Sequence, residues 1–262
     1  MDGNGSVTLP PTGWRGWGFD LHLAAVFLTR LPLPAGPVVD RWGLARAMRV
    51  FPLIGAAIGT VGGLAYGGLA YGGFSPMIAA LGALGVMTLM TGALHEDGLA
   101  DTADGFGGGR NLERKLEIMR DSRSGPFGVL ALLFSVGFRL AALIDLAEPE
   151  RVLAALVVAL ALSRAAMPVA IRACGGPARP GGLGAAAGEG GVPRAGTAVM
   201  LAVGISLPLL GMEGSAVALT AAVLATVVMV FLARRHIGGY TGDVLGAVGQ
   251  VVEVAVLVGL SR

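Results

Sequence analysis

Seven stretches of 16 to 22 mostly apolar residues dominate this 262-residue chain, and their lengths limit what it can fold into. A helix needs about 20 apolar residues to cross a bilayer, so each stretch is close to one crossing. Only 14% of the residues are charged, against about 25% in an average soluble domain. We therefore expect an all-α, polytopic integral membrane protein with about seven transmembrane helices. The stretches are residues 51–72, 75–94, 128–147, 152–173, 196–211, 214–233 and 244–260.

The basic residues between these stretches predict the orientation of the chain. Lys and Arg concentrate in the N-terminal segment, in 95–127, in 174–195 and just before the last stretch. The intervening connections 73–75, 148–151 and 211–213 contain only one basic residue, Arg151. Cytoplasmic loops are enriched in Lys and Arg, so seven crossings place the N-terminus and residues 95–127 on the cytoplasmic side.

We expect one transmembrane domain over residues 1–262, with three subsidiary segments. Residues 1–50 form an N-terminal segment with an interfacial or re-entrant helix from Phe19 to Leu31. Residues 95–127 form a cytoplasmic acidic loop, and 174–195 a flexible Gly/Pro-rich loop. The first apolar stretch repeats glycine every four residues, which favours close helix packing. Its members are Gly55, Gly59, Gly63 and Gly67. The net charge of +2 gives no indication of nucleic-acid binding, and the single cysteine excludes an internal disulfide.

Residues 95–105 carry the acidic feature that points to chemistry. Asp97, Asp101 and Asp104 are spaced i, i+4 and i+7, so a helix would place them on one face. Their repulsion is relieved most simply by a divalent cation, and Mg²⁺ prefers such oxygen ligands with substrate phosphates. A solvated acidic face is the alternative. His95 precedes this face, as a general base, a metal neighbour or a structural residue.

Further polar residues follow this segment and precede the last apolar stretch. Asp121 is a candidate for completing the metal site or acting as a base, or else it simply pairs with Arg123. Gly107–Gly109 before Arg110 form either a phosphate-binding turn or a plain flexible one. Thr241 and Asp243 stand at a predicted helix N-terminus, where they bind an ion, or else Asp243 only caps the helix.

Arg139, Arg164 and Glu253 are charged residues that fall well inside the predicted crossings, away from their ends. Charges at membrane depth are costly and usually face an interior or a cavity. Arg164 binds a substrate phosphate in one interpretation. In the other, Arg164 or Arg139 forms an ion pair with Glu253.

At these residues the chain resembles the membrane-bound cobalamin synthases, or adenosylcobinamide-GDP ribazoletransferases. The matching pieces lie in the family's order over nearly the whole chain, and the central block is long and specific. They are Phe27–Pro32, His95–Gly105 continuing through Arg120–Arg123, Ser163–Arg164 and Gly239–Ala247.

The resemblance implies a Mg²⁺-dependent transferase of the bacterial or archaeal cytoplasmic membrane. It would join adenosylcobinamide-GDP to α-ribazole, or to α-ribazole 5′-phosphate, with attack by the 5′ oxygen and release of GMP. The product would be adenosylcobalamin or its 5′-phosphate, at the last stage of nucleotide-loop assembly. Partners would be these substrates and the lipid bilayer, without nucleic acid; the sequence leaves a homo-oligomer open.

Combined with the chemistry of the side chains, this yields a set of expected roles. Asp97, Asp101 and Asp104 would hold the metal, and Asp104 or Asp121 would be the base. The expected substrate-binding residues are Arg110, Arg123, Arg164, Thr241 and Asp243.

Two other functions remain as alternatives from the sequence. A CDP-alcohol phosphotransferase also uses spaced aspartates, but its Asp-Gly-x-x-Ala-Arg core is only partly matched after Asp104. A secondary transporter would use the charges inside the crossings instead.

Overall fold

The computed structural model describes residues 13–34, 41–121, 123–179 and 193–262, and within them it is built from ten α-helices and a short 3-10 turn. Residues 1–12, 35–40, Ser122 and 180–192, which include most of the predicted flexible loop, lie outside the described part. The helices are α1 Gly13–Leu28, α2 Arg41–Ala47, α3 Phe51–Tyr71, α4 Pro76–Thr91, α5 Leu94–Gly108, α6 Leu112–Ile118, α7 Pro126–Leu146, α8 Pro149–Cys174, α9 Pro193–Ile237 and α10 Gly242–Leu260.

Helix α8 forms the centre of the bundle. Of its most apolar 18-residue window, 83% is buried, and α3, α9 and α10 pack around it. Helices α7 and α9 instead present large apolar side chains outward, among them Phe134, Phe138 and Phe231. An outward apolar surface of this extent is typical of helices that face lipid.

The glycine repeat of α3 packs closely against another helix, as predicted, and that helix is α8. A Cβ atom on Gly59 would lie 2.5 Å from the carbonyl oxygen of Leu156, and one on Gly63 would lie 2.7 Å from the Cα of Leu153. Gly55 meets the carbonyl of Leu160 in the same way. The two backbones therefore approach more closely than any larger residue would allow.

The helices confirm a multi-pass membrane protein, but the predicted number of seven crossings is not confirmed. Five helical segments in the described residues have the length and hydropathy of a membrane span: Gly43–Tyr71, which joins most of α2 and the 3-10 turn to α3, and then α7, α8, α9 and α10. A sixth is obtained if the bent pair of α4 and α5 counts as one broken span. Helix α9 has a non-helical break at Gly211, between predicted stretches five and six.

The N-terminal helix begins and ends earlier than expected, at Gly13 and Leu28 instead of Phe19 and Leu31. Its Asp20 is fully buried and accepts hydrogen bonds from Arg46 at 2.8 Å and Arg49 at 2.7 Å. Two guanidinium groups thereby neutralise one buried carboxylate and attach α1 to the segment before α3.

The contact between α3 and α8 predicts different effects for one substitution at two positions of α3. Gly59→Ala should lower the free energy of unfolding by about 1–3 kcal/mol, because the added methyl group meets backbone atoms of α8. Gly68→Ala is the control, since a Cβ there meets no atom within 4 Å. Thermal unfolding of the detergent-purified variants measures both; equal melting temperatures would contradict the packing argument.

Candidate active site

The helix that carries the acidic segment starts at a sharp bend. Gly92 and Ala93 both have left-handed backbone conformations, with φ values of 63° and 56°. Glycine adopts this conformation freely, whereas it is uncommon for alanine. Helix α5 consequently leaves α4 at an angle of 88°. The predicted helix through the three aspartates is confirmed.

A close contact at Gly98 brings α5 against the beginning of α10. A Cβ atom on Gly98 would lie 2.7 Å from the carbonyl oxygen of Asp243, and one on Gly246 would lie 3.4 Å from the Cα of Gly98. Only small residues permit such an approach. The contact places Asp243 beside the face of α5 that carries Asp97 and Asp101.

The N-terminus of α10 is a polar cluster of three side chains. Thr241 accepts a hydrogen bond from the backbone N–H of Val244 at 3.3 Å and so caps the helix. Its hydroxyl also donates to Asp243 Oδ2 at 3.1 Å, and Arg179 Nη2 donates to the same oxygen at 3.2 Å. The cap is therefore Thr241 and not Asp243, whose carboxylate accepts instead from the side chains of Thr241 and Arg179.

Arg179 is a site residue that the sequence analysis missed. Two backbone hydrogen bonds hold it there: Ala178 N–H donates to Tyr240 at 2.8 Å, and Tyr240 N–H donates to Gly176 at 3.1 Å. The segment expected to be flexible is therefore anchored at its start. Arg179 Nη1 is buried and has no hydrogen-bond partner among the described residues, which leaves it free to donate to a ligand. Nothing in the sequence pairs residues 176–178 with Tyr240.

Asp101 is the electrostatic centre of the acidic face, on a helix outside the five membrane-spanning candidates. Burial, followed by the negative charges of Asp97, Asp243 and Asp104, raises the pKa of Asp101 to about 7. Arg179 lowers that pKa but does not cancel the effect. This repulsion, expected from the spacing alone, is strengthened by a fourth carboxylate from α10.

Asp104 is turned away from this cluster and supports α7 instead. Its Oδ2 accepts a hydrogen bond from Gly125 N–H at 2.6 Å, and its Oδ1 accepts one from Gly128 N–H at 2.9 Å. The side chain is buried, and both oxygens are used at the N-terminus of α7, where a carboxylate is favourable. This geometry favours a structural role over the metal-binding and base roles expected for Asp104.

The three aspartates of α5 do not form a metal site by themselves. Across the residues that the structure describes, no group of three or more His, Cys, Asp or Glu side chains is arranged to hold a metal ion. Asp97, Asp101 and Asp243 nevertheless lie near enough for the charges of Asp97 and Asp243 to act on Asp101. Such a donor set fits Mg²⁺, which commonly takes one or two protein carboxylates and completes its shell with water and phosphate.

Asp121 and Arg123 form a pair at the surface, which is the simpler of the two interpretations of these residues. Arg123 Nη2 donates to Asp121 Oδ2 at 2.8 Å, and the Arg123 side chain is 86% exposed. Hydrogen bonding to Arg123 lowers the pKa of Asp121 to about 2. A carboxylate with so low a pKa is a poor general base at neutral pH.

The glycines before Arg110 serve close packing. Helix α5 continues to Gly108, and a Cβ atom on Gly107 would lie 2.7 Å from the ring of Phe127. At Gly109 it would lie 2.8 Å from the Cα of Lys115. Arg110 itself is exposed beyond the helix end. The arrangement favours a tight connection between α5, α6 and α7 over an open phosphate-binding loop.

A buried network of charged residues lies behind the acidic face. Glu253 of α10 accepts from Arg139 at 3.1 Å and from Arg164 at 3.3 Å, and Arg139 also donates to Glu96 at 3.3 Å. The ion-pair interpretation of Arg139 and Arg164 is thus confirmed by geometry. Arg164 is 1% exposed and also donates to Ser163 at 2.7 Å, so it is not positioned to meet a phosphate at the surface.

Comparisons with known proteins agree on one family. The profile of the cobalamin-5-phosphate synthase family matches residues 20–261. The chain is 46% identical to an adenosylcobinamide-GDP ribazoletransferase of Bradyrhizobium diazoefficiens over 91% of each chain. It is 44% identical to a protein of the same name from Azorhizobium caulinodans, over 92% of this chain and 94% of the relative. No solved structure matches the chain.

The buried network predicts a large stability effect at Glu253. Glu253→Gln should lower the free energy of unfolding by about 3–5 kcal/mol, because it leaves Arg139 and Arg164 buried with reduced compensation. Glu213→Gln, at an exposed carboxylate, is the matched control. Thermal unfolding in detergent is the measurement. A melting temperature for Glu253→Gln equal to that of the control would show that the network contributes little.

The repulsion at Asp101 predicts a gain in stability when its charge is removed. Because its folded-state pKa is raised, the protonated form stabilises the metal-free protein at low pH, and this contribution is lost as pH rises through about 7. Asp101→Asn should therefore raise the melting temperature at pH 8 in EDTA by a few degrees, and by less at pH 5. Exposed Asp145→Asn is the control, and an unchanged melting temperature for Asp101→Asn would contradict the charge arrangement.

Proposed function

The chain belongs to the cobalamin-5-phosphate synthase family, and on that premise we propose that it is an adenosylcobinamide-GDP ribazoletransferase. It joins adenosylcobinamide-GDP to α-ribazole or α-ribazole 5′-phosphate and releases GMP. The observation that locates the proposed active site is the contact at Gly98, which brings carboxylates of α5 and α10 to one surface. The comparisons favour neither a CDP-alcohol phosphotransferase nor a transporter.

The identity of the attacking oxygen follows from the chemistry of the acceptor. The family's name describes a product that retains a 5-phosphate. In α-ribazole 5′-phosphate the 5′ oxygen is already esterified, so it cannot also attack the pyrophosphate. We therefore replace the 5′ oxygen that the resemblance implied by another ribose hydroxyl of the acceptor. The oxygen of this hydroxyl forms a bond to the β-phosphorus of adenosylcobinamide-GDP. The bond between that phosphorus and the departing GMP breaks, and the hydroxyl proton is released.

Asp97, Asp101 and Asp243 are the residues proposed to hold Mg²⁺ together with the pyrophosphate of the donor. When bound, the metal supplies positive charge that offsets the charge of the phosphate oxygens. Carboxylate oxygens of these residues that do not contact the metal would orient the hydroxyl group of the acceptor. This assignment keeps Asp97 and Asp101 from the sequence prediction, moves Asp243 into the metal group, and gives Asp104 and Asp121 structural roles.

Arg179 is proposed as the cationic contact for phosphate within the cluster. Its guanidinium is tied to Asp243 by one nitrogen, while Nη1 has no partner among the described residues. A guanidinium held at one end and free at the other can donate to a phosphate oxygen with little loss of conformational freedom. Arg110 is exposed just after the C-terminus of α5, and Arg123 is exposed just before the N-terminus of α7, and we assign both to the outer rim of the site.

We place the protein in the bacterial cytoplasmic membrane, with the acidic surface toward the cytoplasm. The placement is supported by the basic residues that flank this surface and by the outward apolar faces of α7 and α9. The cytoplasm is also where a nucleoside diphosphate donor would be available.

The first test is turnover by the detergent-purified protein. The protein should form GMP and the corresponding cobalamin in equal amounts from adenosylcobinamide-GDP, either ribazole form and Mg²⁺. Chromatography measures both products, and EDTA should abolish the formation of both. Asp101→Asn should reduce turnover about 100-fold or more, since the charge and ligand it removes are worth a few kcal/mol. Asp145→Asn should be fully active.

Two results would count against the proposal. Folded protein that forms no product from either ribazole form would overturn the reaction. An active Asp101→Asn variant would leave the reaction standing and overturn the assignment of the metal site.

A further inference from the structure

A cavity of about 190 Å³ lies immediately beside the acidic surface, and neither the sequence analysis nor the proposed function assigns it a ligand. It is enclosed by α1, α2 with its 3-10 turn, and the first turns of α3, α5 and α10, with Met167 of α8 as a further wall. Sites for drug-sized ligands usually measure about 300–1,000 Å³, so this cavity is too small for a whole nucleotide and suits one ring system.

The walls of the cavity away from the acidic surface are apolar and aromatic. Phe27 and Phe51 line it and stack on each other, with ring centroids 5.9 Å apart and an interplanar angle of 18°. Leu44, Met48 and Met167 complete this part, and each is at most 4% exposed. Stacked aromatic rings and flexible methionines are favourable neighbours for a flat aromatic ligand.

The opposite wall carries the polar groups of the cavity. Asp97 and Asp243, two of the proposed metal-site residues, line it on this side. His95 lines it as well, is 2% exposed, and has a Nδ1 atom without a hydrogen-bond partner among the described residues. An unpaired buried nitrogen is costly unless a ligand satisfies it. The ligand should therefore offer one hydrogen-bonding atom within an otherwise apolar ring.

We propose that this cavity binds the aromatic base of the acceptor, the dimethylbenzimidazole ring of α-ribazole; this inference rests on the proposed function. The base is flat, bicyclic and largely apolar, and has a ring nitrogen that can pair with His95. A base seated between Phe27 and Met167 leaves its ribose at the wall formed by Asp97 and Asp243. The cavity thereby sets which base is accepted and presents the ribose hydroxyl to the donor.

The guanine of the donor is a poorer match for the same cavity. Guanine carries several amide and amino donors and acceptors on its edges. Most of these groups would face the side chains of Phe27, Phe51 and Leu44, where no hydrogen bond is available. An unpaired polar group in such an environment costs more than the ring gains by burial.

Filling the cavity should change selectivity for the base without changing handling of the donor. Leu44→Phe adds a ring to the apolar wall, so KM for α-ribazole should rise about tenfold or more, as pocket changes of this size do. In the same variant, KM for the benzimidazole riboside, which lacks the two methyl groups, should rise much less. KM for adenosylcobinamide-GDP should stay within twofold of the wild type in both cases. Leu44→Ala should shift the preference the other way, toward bulkier bases.

A matched control exists in a second apolar cavity, of about 180 Å³, between α8 and α9. Leu219→Phe makes the same substitution in that wall, which is not lined by any residue of the acidic surface. It should leave both KM values unchanged. Free 5,6-dimethylbenzimidazole provides a readout independent of turnover: it should raise the melting temperature of the wild type but not of Leu44→Phe, and compete with α-ribazole.

The outcomes separate this inference from the function it rests on. Turnover by the wild type together with an unchanged KM for α-ribazole in folded Leu44→Phe would overturn the base site alone. A raised KM for adenosylcobinamide-GDP instead would show that guanine occupies the cavity, which also overturns it. Protection by free dimethylbenzimidazole without turnover by the wild type would support the aromatic site and overturn the reaction.

Discussion

Four charges, one from each of four helices, compensate one another inside this bundle, and the remaining architecture depends on that compensation. Three of them are buried, and Glu96 is partly buried. Glu96 of α5 and Glu253 of α10 face Arg139 of α7 and Arg164 of α8. A single one of these groups in an apolar bundle would be strongly destabilising, whereas the set is neutral and hydrogen-bonded. The network connects α5 to the three helices behind it and so determines where the acidic face lies.

The contact at Gly98 then gives that face its composition. Because a glycine lets α10 approach α5 at this point, Asp243 joins Asp97 and Asp101, while Asp104 turns toward the amides of α7. The acidic surface is therefore made by two segments more than 140 residues apart in the sequence. An apolar cavity adjoins it, and this juxtaposition of carboxylates and aromatic walls matches an acceptor that is polar at one end and apolar at the other.

Most of the helices and the family could be predicted from the sequence, because hydropathy, glycine spacing and the central motif are local features of the chain. Apolar length predicted helices close to α3, α7, α8 and α10, and the four-residue glycine repeat predicted which face of α3 packs closely against another helix. The specific central block predicted the family, which the comparisons confirm. The role of Asp104 was less accessible, since it depends on the backbone N–H groups of Gly125 and Gly128, which helical spacing does not reveal. For Asp121 and Arg164 the sequence offered an ion pair as one of the alternatives, and only the geometry distinguished between them.

The sequence by itself determined the class of protein, most of the helical segments and the reaction family. Each of these depends on hydropathy, on the spacing of residues or on a contiguous motif, which are local properties of the chain. Only the tertiary structure decided which carboxylates share a surface, why Arg179 belongs to it, and that a cavity lies next to it. Those features arise where the chain returns to itself: a backbone bridge from Gly176 to Tyr240 and a glycine contact between α5 and α10. Contacts between distant segments follow from how whole helices pack, and no single stretch of sequence encodes that packing.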